Sequence, residues 1–265
     1  MPKRNRDTLK NFFRKGALPS ERQFHDLIDS ALNMVDEGFS KTPDNGIEVA
    51  TQEEHHTLMS FSRAGEPGRF DWSLGFTRDR ERNALSFSAR DQEGNETPSV
   101  TLDPGGKVGV NTQAPEFTLD VAGVIRSQGR IGVGPDGNSS VPADGKWHDI
   151  TGPLDGCQAF EVMAGVGKKR TGKYALMHAF ALNTFNPVGF LFNFLNLKKR
   201  ISYHQAHYRS LGDKLKLRWS GTNREYRLQL KSNSDYGDGI RIRFYLTRLW
   251  FDSFMNDCLP DSDDE

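Results

Sequence analysis

The segment Gly167-Lys168-Lys169-Arg170-Thr171-Gly172-Lys173 fits G-x-x-x-x-G-K, the opening of a loop whose backbone amides and final lysine cradle a phosphate. Tyr174 follows where a Ser or Thr would ligate magnesium, and three bulky cations occupy positions that such loops keep small. The segment therefore reads as an exposed basic hairpin loop rather than a nucleotide site. His204 and His207 stand three apart, which on a helix would give them a common face, and His55-His56 follows two glutamates. Neither pair has a third ligand at metal spacing, so both read as surface or packing residues and no metal site is assigned. Cys157 and Cys258 are too few and too far apart to define a disulfide framework or a zinc site. Cys157 has no obvious His or Asn partner and reads as a small core residue, not a nucleophile. Glycan cleavage would need two carboxylates ~5 to 10 Å apart. Within residues 146–250, Glu161 and Glu225 are the two carboxylates on expected strands, and pairing with the many arginines competes with any meeting between them. No catalytic residue is assigned, no cofactor is implied, and the chain is read as a non-enzyme.

Binding and architecture are better represented than catalysis. The chain has 265 residues, 35% of them hydrophobic, 11% aromatic and 26% charged, a globular composition with room for one to three domains. The net charge of zero conceals an uneven distribution: residues 146–250 carry 18 basic against 7 acidic side chains, and residues 251–265 carry none against 6. A basic body followed by an acidic tail points to anionic partners, or to masking of the body by the tail. The start, Met1 to Phe13, is basic but lacks the apolar run of a secretory signal, so assembly in the cytoplasm is expected. The most apolar stretch, Tyr174 to Leu197, is broken by Asn183, Asn186, Pro187 and Asn193, so no transmembrane segment is expected.

The elements that would position a binding surface begin with two short helices. Leu9, Phe12 and Phe13 precede a stop at Gly16, and Ser20 with Gln23 makes a capping-box start for a second helix. There Phe24, Leu27, Ile28, Ala31, Leu32 and Val35 form one stripe, an attachment face for the first helix, a neighbouring subunit, or both. After Thr42-Pro43-Asp44-Asn45-Gly46 the period changes from helix to strand. Phe70, Trp72, Leu74 and Phe76 alternate with polar residues, as do Leu85, Phe87 and Ala89, which predicts a hairpin. An internal echo follows: Thr101-Leu102-Asp103 returns as Thr118-Leu119-Asp120, and Gly106-Lys107-Val108-Gly109-Val110 as Gly129-Arg130-Ile131-Gly132-Val133. Short strands with glycine corners cannot bury both faces in one chain, so copies are expected to intertwine around an axis, most simply as a homotrimer.

The run from Val108 to Val133, through Pro115, Leu119, Asp120, Gly123, Ile125 and Arg126, resembles the shaft repeat of bacteriophage tail fibres and related trimeric bacterial surface proteins. The segment Leu9 to Ser30 is similar to the N-terminal helical part of fibre-like proteins encoded with bacterial contractile injection systems. The resemblance spans roughly residues 8–133 and implies a trimeric fibre or adhesin of a phage-tail-like particle, with those six residues defining the repeat. The chain departs from the usual layout in having no long shaft and no evident self-cleaving C-terminal chaperone domain.

Beyond Gly134-Pro135-Asp136-Gly137-Asn138, three runs alternate an apolar with a basic or polar face: Leu215 to Trp219, Tyr226 to Lys231 and Ile240 to Leu246. With Asp235-Tyr236-Gly237-Asp238-Gly239 as a hairpin turn and His148–Ala164 and Tyr174–Leu197 as further strands, this predicts an antiparallel β-sandwich, the last run being open to a helix instead. The expected division is an attachment module over 1–45, a β-shaft over 46–140, a recognition sandwich over 141–251 and an acidic tail over 252–265. The fold class is mainly β with a small N-terminal α module. The expected ligand surface is Lys168, Lys169, Arg170, Lys198, Lys199 and Arg200 with Trp147, Tyr203 and Tyr208, suited to an anionic glycan or cell-envelope group. No motif supports nucleic acid as a partner. Other proteins of the particle are expected partners, and the competing roles are an internal adaptor of the particle and a depolymerase of surface polysaccharide.

Overall fold

The computed structural model describes residues 4–31, 38–51, 55–62, 70–77, 83–91, 93–134, 136–184, 199–222 and 224–258. The protein is mainly β, and it divides into two compact units, Met1–Arg126 and Ser127–Glu265. That division falls ahead of the 140/141 boundary read from the sequence.

In the first unit, helices α1 (Arg6–Phe12) and α2 (Glu21–Asp29) form where their caps require. Asn5 Oδ1 accepts from Thr8 N at 2.9 Å, Gly16 leaves α1 with φ +85°, and Gln23 Oε1 accepts from Ser20 N at 2.8 Å as the capping box demands. The helices meet edge-to-face through Phe13 and Phe24, with ring centroids 5.3 Å apart. Strands β1 (Phe39–Thr42) and β2 (Gly46–Val49) make a hairpin whose Glu48 carboxylate accepts from Asn45, Ser40 and Thr42, which holds it below the usual carboxylate range.

A six-stranded sheet follows in chain order: β3 (Thr57–Phe61), β4 (Trp72–Phe76), β5 (Leu85–Arg90), β6 (Glu96–Leu102), β7 (Val108–Val110) and β8 (Leu119–Val121). It is an antiparallel meander except for the parallel β7–β8 pair. The β4–β5 hairpin is the one the alternation predicted, with Leu74 opposite Phe87. Gly109 is required by close approach, because a Cβ there would overlap the Thr112 carbonyl.

The second unit is an antiparallel sandwich. Strands β9 (Ser140–Pro142), β11 (Gln158–Lys168), β12 (Lys173–Asn183), β13 (Lys199–His207) and β16 (Arg241–Arg248) form a five-stranded sheet in the order β13-β12-β11-β16-β9. Strands β10 (His148–Asp149), β14 (Leu215–Gly221) and β15 (Tyr226–Ser232) form a three-stranded sheet in the order β10-β15-β14. Phe160, Val162, Met177, Ile242, Phe244 and Leu246 from the larger sheet meet Leu215, Leu217, Leu228 and Leu230 from the smaller in one buried cluster.

Two expectations are corrected here. The turn Asp235–Gly239 does not close a hairpin, because β15 and β16 lie in different sheets and the turn carries the chain across the core. Tyr236 is buried at that crossing and donates to Asp213 O at 2.6 Å. A large aromatic in a segment rich in turn residues is what an intersheet anchor looks like in sequence. The repeat is also not reused as structure. Val108–Val110 is a strand, whereas Gly129–Val133 belongs to the second unit, where Leu246 N donates to Gly132 O at 3.2 Å. A Cβ at Gly132 would overlap Thr247 Oγ1, so the glycine that reads as a repeat corner serves to let this segment lie against β16.

Candidate functional site

The basic loop Lys168–Lys173 is the reverse turn between β11 and β12, with Arg170 at φ +65° and Gly172 at φ +68°. It leads from strand to strand, not from strand to helix, so it has no helix N-terminus to hold a phosphate. Lys199 and Arg200 pair with Asn183 and Leu182 at the far end of β12. At ~3.3 Å per residue, the length of β12 separates them from the turn by roughly 30 Å. The cations taken as one neighbourhood are thus split between opposite ends of the larger sheet. Lys198 lies outside the described residues.

At the turn end, the outer face of the larger sheet holds a hollow of about 670 Å³. Gly165 and Gly167 floor it, Tyr174, Leu176 and Tyr208 wall it, and Arg241 and Arg243 stand at its side. Tyr174 owes its place to Gly167, where a Cβ would meet its ring at 2.5 Å. Tyr208 N donates to Tyr174 O at 3.0 Å, which brings the second tyrosine alongside. Arg241 is fixed through Ser140, its Nε 2.9 Å from Oγ and its Nη2 2.8 Å from the carbonyl. Two aromatic rings, a glycine floor and two guanidinium groups can stack on and charge-pair with an acidic sugar or a similar amphipathic anion.

Of the aromatic residues singled out, Tyr208 joins this hollow. Tyr203 is a half-exposed residue of the edge strand β13, and Trp147 immediately precedes β10 of the other sheet. Trp147 lies under Arg218 at 4.2 Å and Lys231 at 4.9 Å from its ring centroid. Around it Lys216 pairs with Lys231 and Arg218 with Gln229, so the smaller sheet presents the basic outer face that alternation implied.

Sequence reasoning missed Tyr174, Arg241 and Arg243. The available signal was the run Tyr174–Leu182, apolar at every position but His178, which marks a strand largely apolar on both faces. The inner side of β12 carries Ala175, Met177, Ala179 and Ala181, all buried, while Tyr174, Leu176, Phe180 and Leu182 on its outer side are 43–55% exposed.

Glu161 and Glu225 take separate partners. Glu161, on that same outer face, accepts from Arg130 and pairs with His178 Nε2 at 2.8 Å. Glu225 precedes β15 and reaches Arg227 at 3.4 Å. His204 and His207 lie on a strand, where a spacing of three puts them on opposite faces. Among the described residues no group of three His, Cys, Asp or Glu side chains could hold a metal ion, and no helix is long and apolar enough to cross a membrane.

The first unit carries a different surface. Along the register of its sheet, Phe61, Trp72 and Ala89 form one row, Met59, Leu74, Phe87, Val100, Val110 and Val121 a second, and Phe76, Leu85, Leu102, Val108 and Leu119 a third. All lie on one side of the sheet, and Met59, Phe61, Trp72, Phe76, Phe87, Leu102 and Leu119 are 39–60% exposed. Of the repeat-defining residues, Leu119 and Asp120 lie in β8, and Asp120 accepts from Glu116 N at 3.0 Å. Ile125 is exposed, while Pro115 is buried. Gly123 has open space at its Cβ position, and Arg126 ends the first unit. Phe24, Leu27 and Ile28 of α2 are exposed, and Leu32 and Val35 lie outside the described residues.

No protein-family model matches the chain, and no curated protein is significantly similar to it.

Proposed function

We propose that the chain is a structural and binding component of a phage-tail-like contractile injection particle, a short homotrimeric tail fibre or adhesin that recognises a surface ligand. The observation that carries this reading is the apolar face of the six-stranded sheet, three rows of Phe, Trp, Leu, Met and Val side chains left in water by a single chain. Such a face carries no charge to select a foreign partner, and its natural complement is the same face of another copy. Three copies around an axis would enclose the rows. The exposed stripe of α2 serves as the attachment to the particle, and the hollow walled by Tyr174 and Tyr208 serves recognition. The test is co-purification: a tagged chain expressed in its native host should be recovered with sheath and tube proteins, and losing residues 1–45 should abolish that. Recovery free of both proteins from cells that assemble particles would overturn the reading.

A further inference from the structure

The other side of the six-stranded sheet inverts the usual arrangement of a half-buried sheet. Its apolar side is in water, whereas the hydroxyl-bearing Ser73, Ser86 and Ser88 on the opposite side are only 5%, 6% and 8% exposed. They line a cavity of about 790 Å³ together with Thr57, Arg90 and Gln113. A polar sheet face that merely met solvent would be open to it, and a polar face packed on protein would find hydrogen-bond partners. Here the Ser73 hydroxyl has no partner among the described residues. Ser86 and Ser88 have only each other, at 3.4 Å, which is long for a hydroxyl pair. The cavity volume lies within the ~300 to 1,000 Å³ range of small-ligand sites.

We propose that this cavity is a binding site for a neutral glycan. The inference rests on the reading of the chain as a recognition protein, and it assigns a second site distinct from the hollow of the sandwich. The chemistry selects the ligand. Serine and threonine hydroxyls both donate and accept, and so do the hydroxyls of a sugar, so each can satisfy the other without a fixed polarity. A phosphate or sulfate would need unpaired positive charge. The one arginine lining the cavity, Arg90, is paired at 3.8 Å with Glu96, which also lines it beside His55 and His56, and is stacked over Phe70 at 4.0 Å. Its charge is thus countered, while its buried Nε has no hydrogen-bond partner among the described residues and is left to donate to a sugar hydroxyl. Ser73 faces Ser88, and Gly75 faces Ser86, across β4 and β5, which sets the hydroxyls on a rigid lattice suited to a polyhydroxylated ring.

The full-length chain should be applied to an array of neutral hexose and N-acetylhexosamine oligosaccharides, and the retained oligosaccharide titrated by calorimetry. Ser73→Ala removes a hydroxyl that holds nothing in the free protein, so its melting temperature should equal that of the native chain. Its affinity should fall roughly five- to tenfold, the weight of one hydrogen bond. Ser86→Ala gives up only the long 3.4 Å contact to Ser88, should lower the affinity by a similar factor with little change in melting temperature, and carries the test if Ser73→Ala melts early. Retention of no neutral oligosaccharide would overturn the proposal, as would binding that survives both substitutions. A chain that proves trimeric and particle-bound but fails here loses this site alone. Binding that survives both substitutions but is lost in Tyr208→Ala belongs to the sandwich hollow.

Discussion

Two buried tyrosines hold the sandwich at places where apolar burial alone would not specify the chain path. Tyr226 donates to Gly156 O and Tyr236 to Asp213 O, each fixing a loop to a strand or crossing of the core. Burial raises both hydroxyls, Tyr236 to about 12, with Asp213 adding to its shift. The native state therefore favours the protonated phenol, while the unfolded chain ionises near the ordinary value of ~10. The resulting stability is fully present below pH ~10 and is lost as pH rises toward 12, by roughly 2 to 3 kcal/mol for Tyr236 alone. Urea unfolding followed by tryptophan fluorescence at pH 8, 10 and 11.5 should show that alkaline loss. Tyr236→Phe should cost about 1 kcal/mol at pH 8 through its hydrogen bond and should flatten the decline. An unchanged alkaline limb in the variant would show that Tyr236 does not titrate with unfolding.

At the scale of elements, the second unit's core is self-sufficient, because the buried cluster draws every residue from Val141 to Leu246 and none from the helices or the first sheet. Deletion of residues 1–45 should therefore leave its circular dichroism and melting unchanged, and unfolding of the sandwich on that deletion would refute the modular reading. Elements were legible where side-chain period and local caps agree. Ser20 and Gln23 announced α2, and strict alternation announced β4, β5, β14, β15 and β16. What was not legible depends on which strand lies beside which. The residues Asp235–Gly239 have hairpin chemistry whether the next strand joins the same sheet or the opposite one. Gly129–Val133 repeats the spelling of Gly106–Val110 but meets β16, because Leu246 offers an amide there. For the candidate site, charge counting found the basic turn but grouped it with Lys199 and Arg200, which adjacency in sequence to a second apolar run could not separate. The hollow itself comes from Gly165 and Gly167, whose meaning depends on Leu176 and Tyr174 lying over them from the neighbouring strand.

The whole molecule presents two kinds of surface, and they should respond to opposite perturbations. The recognition proposed for the sandwich hollow would have an electrostatic part that salt screens over ~8 to 10 Å, so binding to an anionic envelope glycan should weaken as salt rises. Changing Lys168, Lys169 and Arg170 to serine should weaken it too, while the same change at Lys199 and Arg200, at the far end of β12, should matter less. Equal binding by all three proteins across a salt titration would remove the charge contribution. The assembly proposed through the six-stranded sheet would be apolar and should be insensitive to salt or favoured by it. Light scattering at micromolar concentration should give three times the 29.8 kDa chain mass. Phe87 and Leu102 lie in adjacent strands on the apolar side and are 39% and 41% exposed in the single chain, so glutamate can replace them without entering a core. Phe87→Glu with Leu102→Glu should therefore yield a folded monomer, because three copies would place six carboxylates in one water-poor axis, where unpaired charge costs several kcal/mol each. A native chain that scatters as a monomer would sink the assembly, and a double variant that remains a trimer would move the contact to another face.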